Sequence, residues 1–473
     1  MSNIVEIQSV DTPNHFQTDY LSVAERYAAG KALRQQVKRS EHGRYEPAAN
    51  RPDPIAILEA QAKTRLPDLV SLRYARMSPS PFAFLRGAAA IMIQDIAPAP
   101  TTGLTVQVCG DMHLANFGLF ASAERNLVFG INDFDETYPA SWEWDLKRLA
   151  TSAVVAGRYL GADRASCQTA VRSAVQSYRQ HLHEYAELGY LDLWYANITE
   201  AEIFKKLPDE LHGRAIRIAG KARQSHHLQV LDKMTDLIDD QHHIIEAPPL
   251  VVRVETTPSG QPMPQAIQQL LENYLESLGA DRQFLLSRYR ILDVARKVVG
   301  VGSVGTRCWV VYLEGRDTGD PLFLQVKEAQ PSVIAPYADS LSGHKMPDDH
   351  QGHRVVAGQR LIQGAPDIFL GWGEQDGIHY YIRQLRDMKG GAKLEPGKFR
   401  LSGLPNYCGL CGWALALAHA KSGDAAMLAG YVGKNAALDD ALVKFAEAYA
   451  EQTERDHEVL LAAARQKRIQ IEA

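Results

Sequence analysis

Apolar residues recurring at spacings of three and four predict helices over most of the chain, with one β-rich interval. A helix is expected over 54–64. Another should start near Pro81 and run through FAFLRGAAAIMIQDI, ending before Pro98 and Pro100 because neither can continue it. LTVQVCG and NLVFGIN then read as two strands flanking the loop GDMHLANFG, close enough to form a hairpin-like pair. Helical spacing returns from Trp142 to about Gly189, carried first by Leu146, Leu149, Ala150 and Val154 and then by a second stretch at 164–187. Residues 198–290 read as mostly helical, interrupted by a strand with turns in APPLVVRVETTPSGQP.

The texture changes near residue 294. VARKVVGVGSVGTRCWVVYLEGRDTGDPLFLQVKEA holds two or three β-rich runs joined by Gly and Asp turns. A helix follows at 349–364, then strands in DIFLGW and IHYYIRQL. From about 405 the pattern is helical to the end, with one long amphipathic segment in ALVKFAEAYAEQTERDHEVLLAAARQ. The expected organisation is an N-terminal arm with one short helix (1–50), a large helical lobe (51–290), a small β-rich lobe (291–390), and C-terminal helices (391–473) that complete the large lobe. The fold class is α+β.

Composition narrows the function classes. The 473 residues carry a net charge of -5 with a pI near 6.4, so nothing electrostatic recommends nucleic acid as a partner. The basic cluster Lys221, Arg223, His226 and His227 reads as a solvated helix face. Five cysteines, at 109, 167, 308, 408 and 411, fit a reducing compartment; Cys408 and Cys411 form a lone C-x-x-C, lacking half the ligands of a zinc site. The first residues lack a signal peptide's basic-then-apolar build, and no apolar run approaches the ~20 residues that span a bilayer. A soluble, cytoplasmic protein is expected, with no membrane partner.

Three constellations carry candidate chemistry. In the first, Asp111, His113 and Asn116 share one loop directly after a strand. An Asp there can orient an attacking hydroxyl and accept its proton, while an Asn five positions on can hold a magnesium ion. A capped tight turn is the alternative. The second, Asp133-Phe134-Asp135-Glu136, closes the next strand. Clustered carboxylates need a cation or hydrogen bonds to offset their repulsion, which makes Asp133 a candidate to bridge a metal to phosphates and Asp135 a second ligand. Glu136 is expected to be exposed or salt-bridged. The third, Gly300-Val301-Gly302-Ser303-Val304-Gly305, precedes β-formers and not a helix. It therefore reads as a glycine-rich β-turn, able to approach phosphates closely, and not as a dinucleotide fingerprint. Alternation on the strand that follows puts Phe323, Gln325 and Lys327 on one face, with Lys327 beneath the turn. A solvated edge-strand lysine is the alternative there.

These constellations resemble the working parts of the protein-kinase-like superfamily. GDMHLANFG is similar to the catalytic loop of aminoglycoside and choline kinases, NDFDE to their metal-binding motif, and WEWDLKRLA to the helix after it. The resemblance implies ATP and Mg²⁺ as cofactors, Asp111 as base, Asn116 and Asp133 as metal ligands, Lys327 on the phosphates, and Asp145 as an acid anchoring the catalytic loop from below. RYARMSPSPFAFLRG, CGDMHLANFG and NDFDETYPASWEWDLKRLA also resemble, over nearly the whole chain, a bacterial family known as domain of unknown function 2252.

The order of parts departs from the kinase pattern. Here the glycine turn and lysine follow the catalytic loop by about 190 residues, which implies a circular permutation; GWALALAHAKSGD resembles the helix that leads into that loop. The helix at 349–364 has no glutamate to pair with Lys327, so Gln359, Asp133 or Glu328 is expected beside it. The implied activity is phosphoryl transfer to an unidentified hydroxyl acceptor. Nucleotidyl transfer, nucleotide binding without catalysis, and a dinuclear phosphoesterase drawing on His242 and His243 are the alternatives.

Overall fold

The computed structural model describes residues 21–472 apart from 226, 239–240, 343–348 and 386–387. It is a mixed α+β structure whose sheets are antiparallel. The expected arm is only partly described, since residues 1–20 lie outside the described residues, as does His226 of the basic cluster. From Leu21 onward the segment is no free arm. Its helix Val23–Ala32 starts on a Ser22–Glu25 capping box and packs on the C-terminal helices, where Tyr431 and Val432 carbonyls accept from Arg34 and Arg39.

Around the first two motifs the strands are short. β1 (Thr105–Val108) pairs with β4 (Tyr138–Ser141), while β2 (Phe117–Ala121) forms a hairpin with β3 (Leu127–Ile131), which also takes β5 (Ile198–Thr199). The expected pairing of LTVQVCG with NLVFGIN is therefore corrected. The chain leaves the first loop straight into β2, and a turn closed by the Ser122 N–H to Asn126 carbonyl bond (2.8 Å) returns it as β3. β1 waits for β4, so the two strands that precede the motifs lie in different sheets.

Helices Trp142–Tyr159, Arg164–Ala186, Leu404–Ser422, Ala425–Val432 and Ala437–Arg465 surround these strands and share one apolar core with them. Cys408 and Cys411 are buried thiols in this core, near the start of their helix. The single helix expected from Pro81 is two, Pro81–Leu85 and Ala89–Ile96. The break falls at Gly87, where a Cβ would sit 2.7 Å from the Met77 sulfur.

The largest sheet has six strands among the described residues, in the order β12-β13-β11-β10-β9-β8. They are β8 (Val251–Val252), β9 (Arg290–Lys297), β10 (Cys308–Glu314), β11 (Pro321–Glu328), β12 (Gly371–Gln375) and β13 (Ile378–Gln384). Leu322, Leu324 and Val326 pack with helix Met263–Glu276, whereas Phe323 points to the opposite face, against Val230, Leu231 and Tyr312. That face is also covered by the hairpin of β6 (Thr235–Ile238) and β7 (Gln241–Ile244), in a stretch expected to be helical. Of DIFLGW only the last two residues join a strand, because the Asp367 carboxylate accepts from the Phe369 N–H (2.9 Å) and turns the chain first. Helix Gln351–Ile362 lies where 349–364 was expected.

Candidate active site

Asp145, on the first turn of helix Trp142–Tyr159, fixes the first loop from beneath. Its carboxylate accepts from the Cys109 N–H (2.7 Å) and the Gly110 N–H (2.9 Å). His419 Nε2 approaches the same carboxylate at 3.5 Å, and Tyr178 holds the other ring nitrogen at 2.8 Å. Gly110 takes φ +82° there, and a Cβ would meet the Glu136 carbonyl at 2.4 Å. The two motif loops are thus pressed together, and the Cys109 thiol donates to the Asp133 carbonyl across the seam (2.8 Å).

Asp111 faces the cleft in contact with the Arg148 guanidinium, whose Nε donates to Oδ1 at 2.5 Å. Burial pushes the Asp111 carboxyl above its ordinary range, and Arg148 and Arg86 only partly offset that push. His113 is buried, with Nε2 at 3.7 Å from Asp111. Burial, with Arg86 and Arg148 nearby, holds its pKa well below the usual histidine value, so the ring is neutral. Asn116 spends its amide N–H on the Asp111 carbonyl (2.8 Å), which leaves its side-chain oxygen for another partner.

Asp133 and Asp135 lie close enough to repel. Burial and then Asp135 push the Asp133 carboxyl up. Asp135 goes the other way. Burial opposes its charge, but contact with the Lys327 ammonium and hydrogen bonds from Tyr381 (2.7 Å) and Ser303 (2.9 Å) bring it down to about 2. Lys327 is buried and also sits 5.7 Å from the Tyr381 ring centroid. Desolvation works against its charge, but Asp133 and Asp135 raise its pKa well above normal.

The lysine's partner is therefore Asp135, and the expectation of Gln359, Asp133 or Glu328 is corrected at the level of direct contact. Gln359 bonds Gln363 (2.7 Å) beside a neighbouring cavity lined also by Asn132 and Arg383. Glu328 accepts from Arg307. What helix Gln351–Ile362 brings to the site is Arg354, which donates to the Thr137, Asp135 and Gln330 carbonyls at 2.6, 2.8 and 2.9 Å and so fixes the acidic loop's backbone. Glu136 is not exposed, and it forms no salt bridge among the described residues. It is half-buried, accepts from the Val333 N–H (2.8 Å), and is pushed up chiefly by burial.

Asp111, His113, Asn116, Asp133, Asp135 and the turn Gly300, Val301, Gly302 and Ser303 line one cleft. Gly300 and Gly305 take φ values of +69° and +92°; Gly305 closes the turn, and its carbonyl accepts from the Leu66 N–H (2.7 Å). Asp135 already has three partners, whereas among the described residues Asp133 has only the long approach of the Asp135 N–H at 3.4 Å, so Asp133 and Asn116 are the better-placed candidates for a cation. Among the described residues the side chains that do converge as a metal-like triplet lie elsewhere, at His350, Glu374 and His379. His242 and His243 sit on β7 beside Thr235 and Asp293 and do not line the cleft.

The sequence reading missed Arg65, Arg73, Arg86, Arg148, Tyr381 and Arg383. Several lie within stretches already singled out: Arg148 follows Asp145 in WEWDLKRLA, and Arg73 and Arg86 sit in RYARMSPSPFAFLRG. A basic residue three positions after the anchoring acid, on the same helix face, was the available signal.

The raised Asp133 pKa carries a test. Asp133→Asn removes a half-buried like charge beside Asp135, so the metal-free protein should gain about 1 kcal/mol, within the range common for stabilising substitutions. Thermal melts in EDTA would read this as a higher Tm. A lower Tm would make Asp133 a structural residue.

An antiparallel α+β protein with a charged cleft between two loop motifs and a glycine turn is thus defined. A family model described as an uncharacterized protein conserved in bacteria (DUF2252) matches residues 65–463, and the chain belongs to that family. No curated protein and no solved structure matches it. No helix among the described residues is long and apolar enough to cross a membrane.

Proposed function

We propose that the cleft binds Mg-ATP and transfers a phosphoryl group to a hydroxyl acceptor, in a kinase-like two-lobed arrangement whose parts follow a circularly permuted order. One juxtaposition carries the reading. The glycine turn, some 190 residues downstream of Asp111, and Lys327 further on, line or reach the same cleft as Asp111, Asn116 and Asp133. Phosphoryl transfer asks of a protein little more than positioning and charge compensation, and these residue types supply both.

Asp133 and the Asn116 side-chain oxygen would hold the magnesium ion, which when bound neutralises phosphate charge. Lys327 would offer its ammonium to phosphate oxygens with N–H bonds left over from its contact with Asp135. The backbone of the Gly300–Ser303 turn lines the cleft, and its two glycines would let phosphates approach with little side-chain obstruction. Asp111 orients the acceptor hydroxyl and takes its proton, and a carboxyl raised by burial is a better base than an ordinary one. Asp145 and His419 act through the loop and position it.

The Arg148 contact favours a second reading. An Asp111 carboxylate held by a guanidinium is a weaker base, which suits nucleotide binding without transfer. One experiment separates the two. A ligand present at a hundredfold excess over its Kd stabilises the native state by about 2.7 kcal/mol. Mg-ATP should raise the Tm, EDTA should cancel most of the rise, Asp133→Asn should abolish it, and Asp111→Asn should keep it. ATP consumption lost in Asp111→Asn supports transfer, with ADP as product for phosphoryl and not nucleotidyl transfer. A wild type indifferent to Mg-ATP sinks both readings.

A further inference from the structure

Three arginines form part of the cleft wall, none of them used by the function proposed above. Arg65 precedes helix Val70–Met77, Arg73 lies on it, and Arg86 caps helix Pro81–Leu85. Arg73 is 1% exposed, yet among the described residues its Nε and Nη1 have no hydrogen-bond partner; only Nη2 is used, on Gln61 (2.8 Å) and the Gly87 carbonyl (3.1 Å). The Nε atoms of Arg65 and Arg86 are likewise buried and unpartnered, and the one bond Arg65 makes from Nη1 is to the Val304 carbonyl (2.5 Å). Burial drives all three below the usual arginine range, Arg73 to about 9.

A buried guanidinium without a counter-charge is costly, and three around one cavity repel one another. The carboxylates in the same cavity relieve them only at a distance, Glu136, Glu328 and Asp135 acting on Arg65 and Asp111 and Asp133 on Arg86, because their close contacts are made elsewhere. Asp111 pairs with Arg148, Asp135 with Lys327, and Glu136 accepts from the Val333 N–H. Neither Arg65, Arg73 nor Arg86 forms a salt bridge among the described residues, while Arg148 and Lys327 both do. Three guanidinium groups without a direct ion pair among the described residues therefore line one wall of the cleft, each with a buried nitrogen left unpartnered.

We infer that Arg65, Arg73 and Arg86 form a phosphate-binding seat of their own, distinct from Lys327, beside the Gly300–Ser303 turn. A guanidinium fork matches phosphate oxygens in pairs, and a phosphate near two negative charges balances several cations better than a monocarboxylate does. The group could be the terminal phosphate of a nucleotide or that of a phosphorylated small molecule. The seat does not depend on phosphoryl transfer taking place.

The test uses the full chain and inorganic phosphate or pyrophosphate as probe, with acetate as the monoanion control, read by calorimetry and by Tm. The wild type should bind phosphate and ignore acetate at the same concentration. Arg73→Met and Arg86→Gln should each weaken phosphate binding at least tenfold. Arg73→Met should also leave the phosphate-free Tm unchanged or raised, since it removes an uncompensated charge; a merely structural arginine would lower it. Should Arg73→Met fail to fold, Arg86→Gln, at a half-buried position, still decides. Phosphate that competes with Mg-ATP assigns the seat to a nucleotide, and phosphate that binds alongside saturating Mg-ATP assigns it to a second, phosphorylated ligand. No phosphate binding by the wild type, equal binding by both variants, or equal binding of acetate overturns the inference. Phosphate binding in a protein that ignores Mg-ATP would keep this seat and discard the phosphotransferase reading.

Discussion

Lys327→Met should destabilise the protein by about 3–5 kcal/mol, the range for breaking a buried ion pair from one side. Lys327 is 2% exposed, and the Asp135 carboxylate that faces it would be left among Asp133, Tyr381 and Ser303 with no cation in contact. The double variant Lys327→Met/Asp135→Asn should recover most of the loss, because both charges leave together. Urea denaturation of the four proteins gives the coupling directly. Additive losses would mean that the two side chains are stabilised separately and that the contact contributes little.

The same pair sets an acid limb. Asp135 is lowered to about 2 in the folded protein, from an ordinary value of 3.8. Its contribution to stability is thus fully present above pH 4 and is lost as pH falls through that interval toward 2. The double variant lacks this term and should show a shallower loss of stability over the same range.

What the sequence made legible follows from which interactions are local. Alternation on β11 placed Phe323, Gln325 and Lys327 together because side chains on a strand alternate whatever the tertiary contacts. It could not say which acid meets Lys327, since Asp135 lies 192 positions away and the choice is made by packing two sheets together. The hairpin expected between β1 and β3 failed for a related reason. Neighbours along the chain pair often, but the β1–β4 register depends on Asp145 pinning Cys109 and Gly110, which periodicity cannot see. The arginine wall was overlooked because charge in a sequence reads as surface by default. Arg73 is recognisable only once its burial and its unpartnered nitrogens are known.

Asp145→Ala should cost roughly 3 kcal/mol or more, and should loosen the Asp111 loop before the rest of the protein. The carboxylate is 1% exposed and accepts from two successive backbone N–H groups, with His419 close by. Removing it leaves two buried donors unsatisfied, each costing about 1–3 kcal/mol. Gly110 is held at φ +82° between this anchor and the Glu136 backbone, so without the anchor the loop is left with such contacts as those to the Asp133 carbonyl, Arg148 and Ser152. Asp145→Asn keeps one acceptor but turns an amide toward the second N–H, and should cost about half as much. Hydrogen exchange read by mass spectrometry separates positioning from general support. Amides from Gly110 to Asn116 should lose protection in Asp145→Ala at denaturant levels where β10 and β11 remain protected. The Mg-ATP-induced rise in Tm should shrink in Asp145→Asn, since Asn116 rides on the same loop. Uniform loss of protection that extends to β10 and β11, with an unchanged Mg-ATP effect in Asp145→Asn, would make Asp145 a core hydrogen-bonding residue with no special hold on the loop.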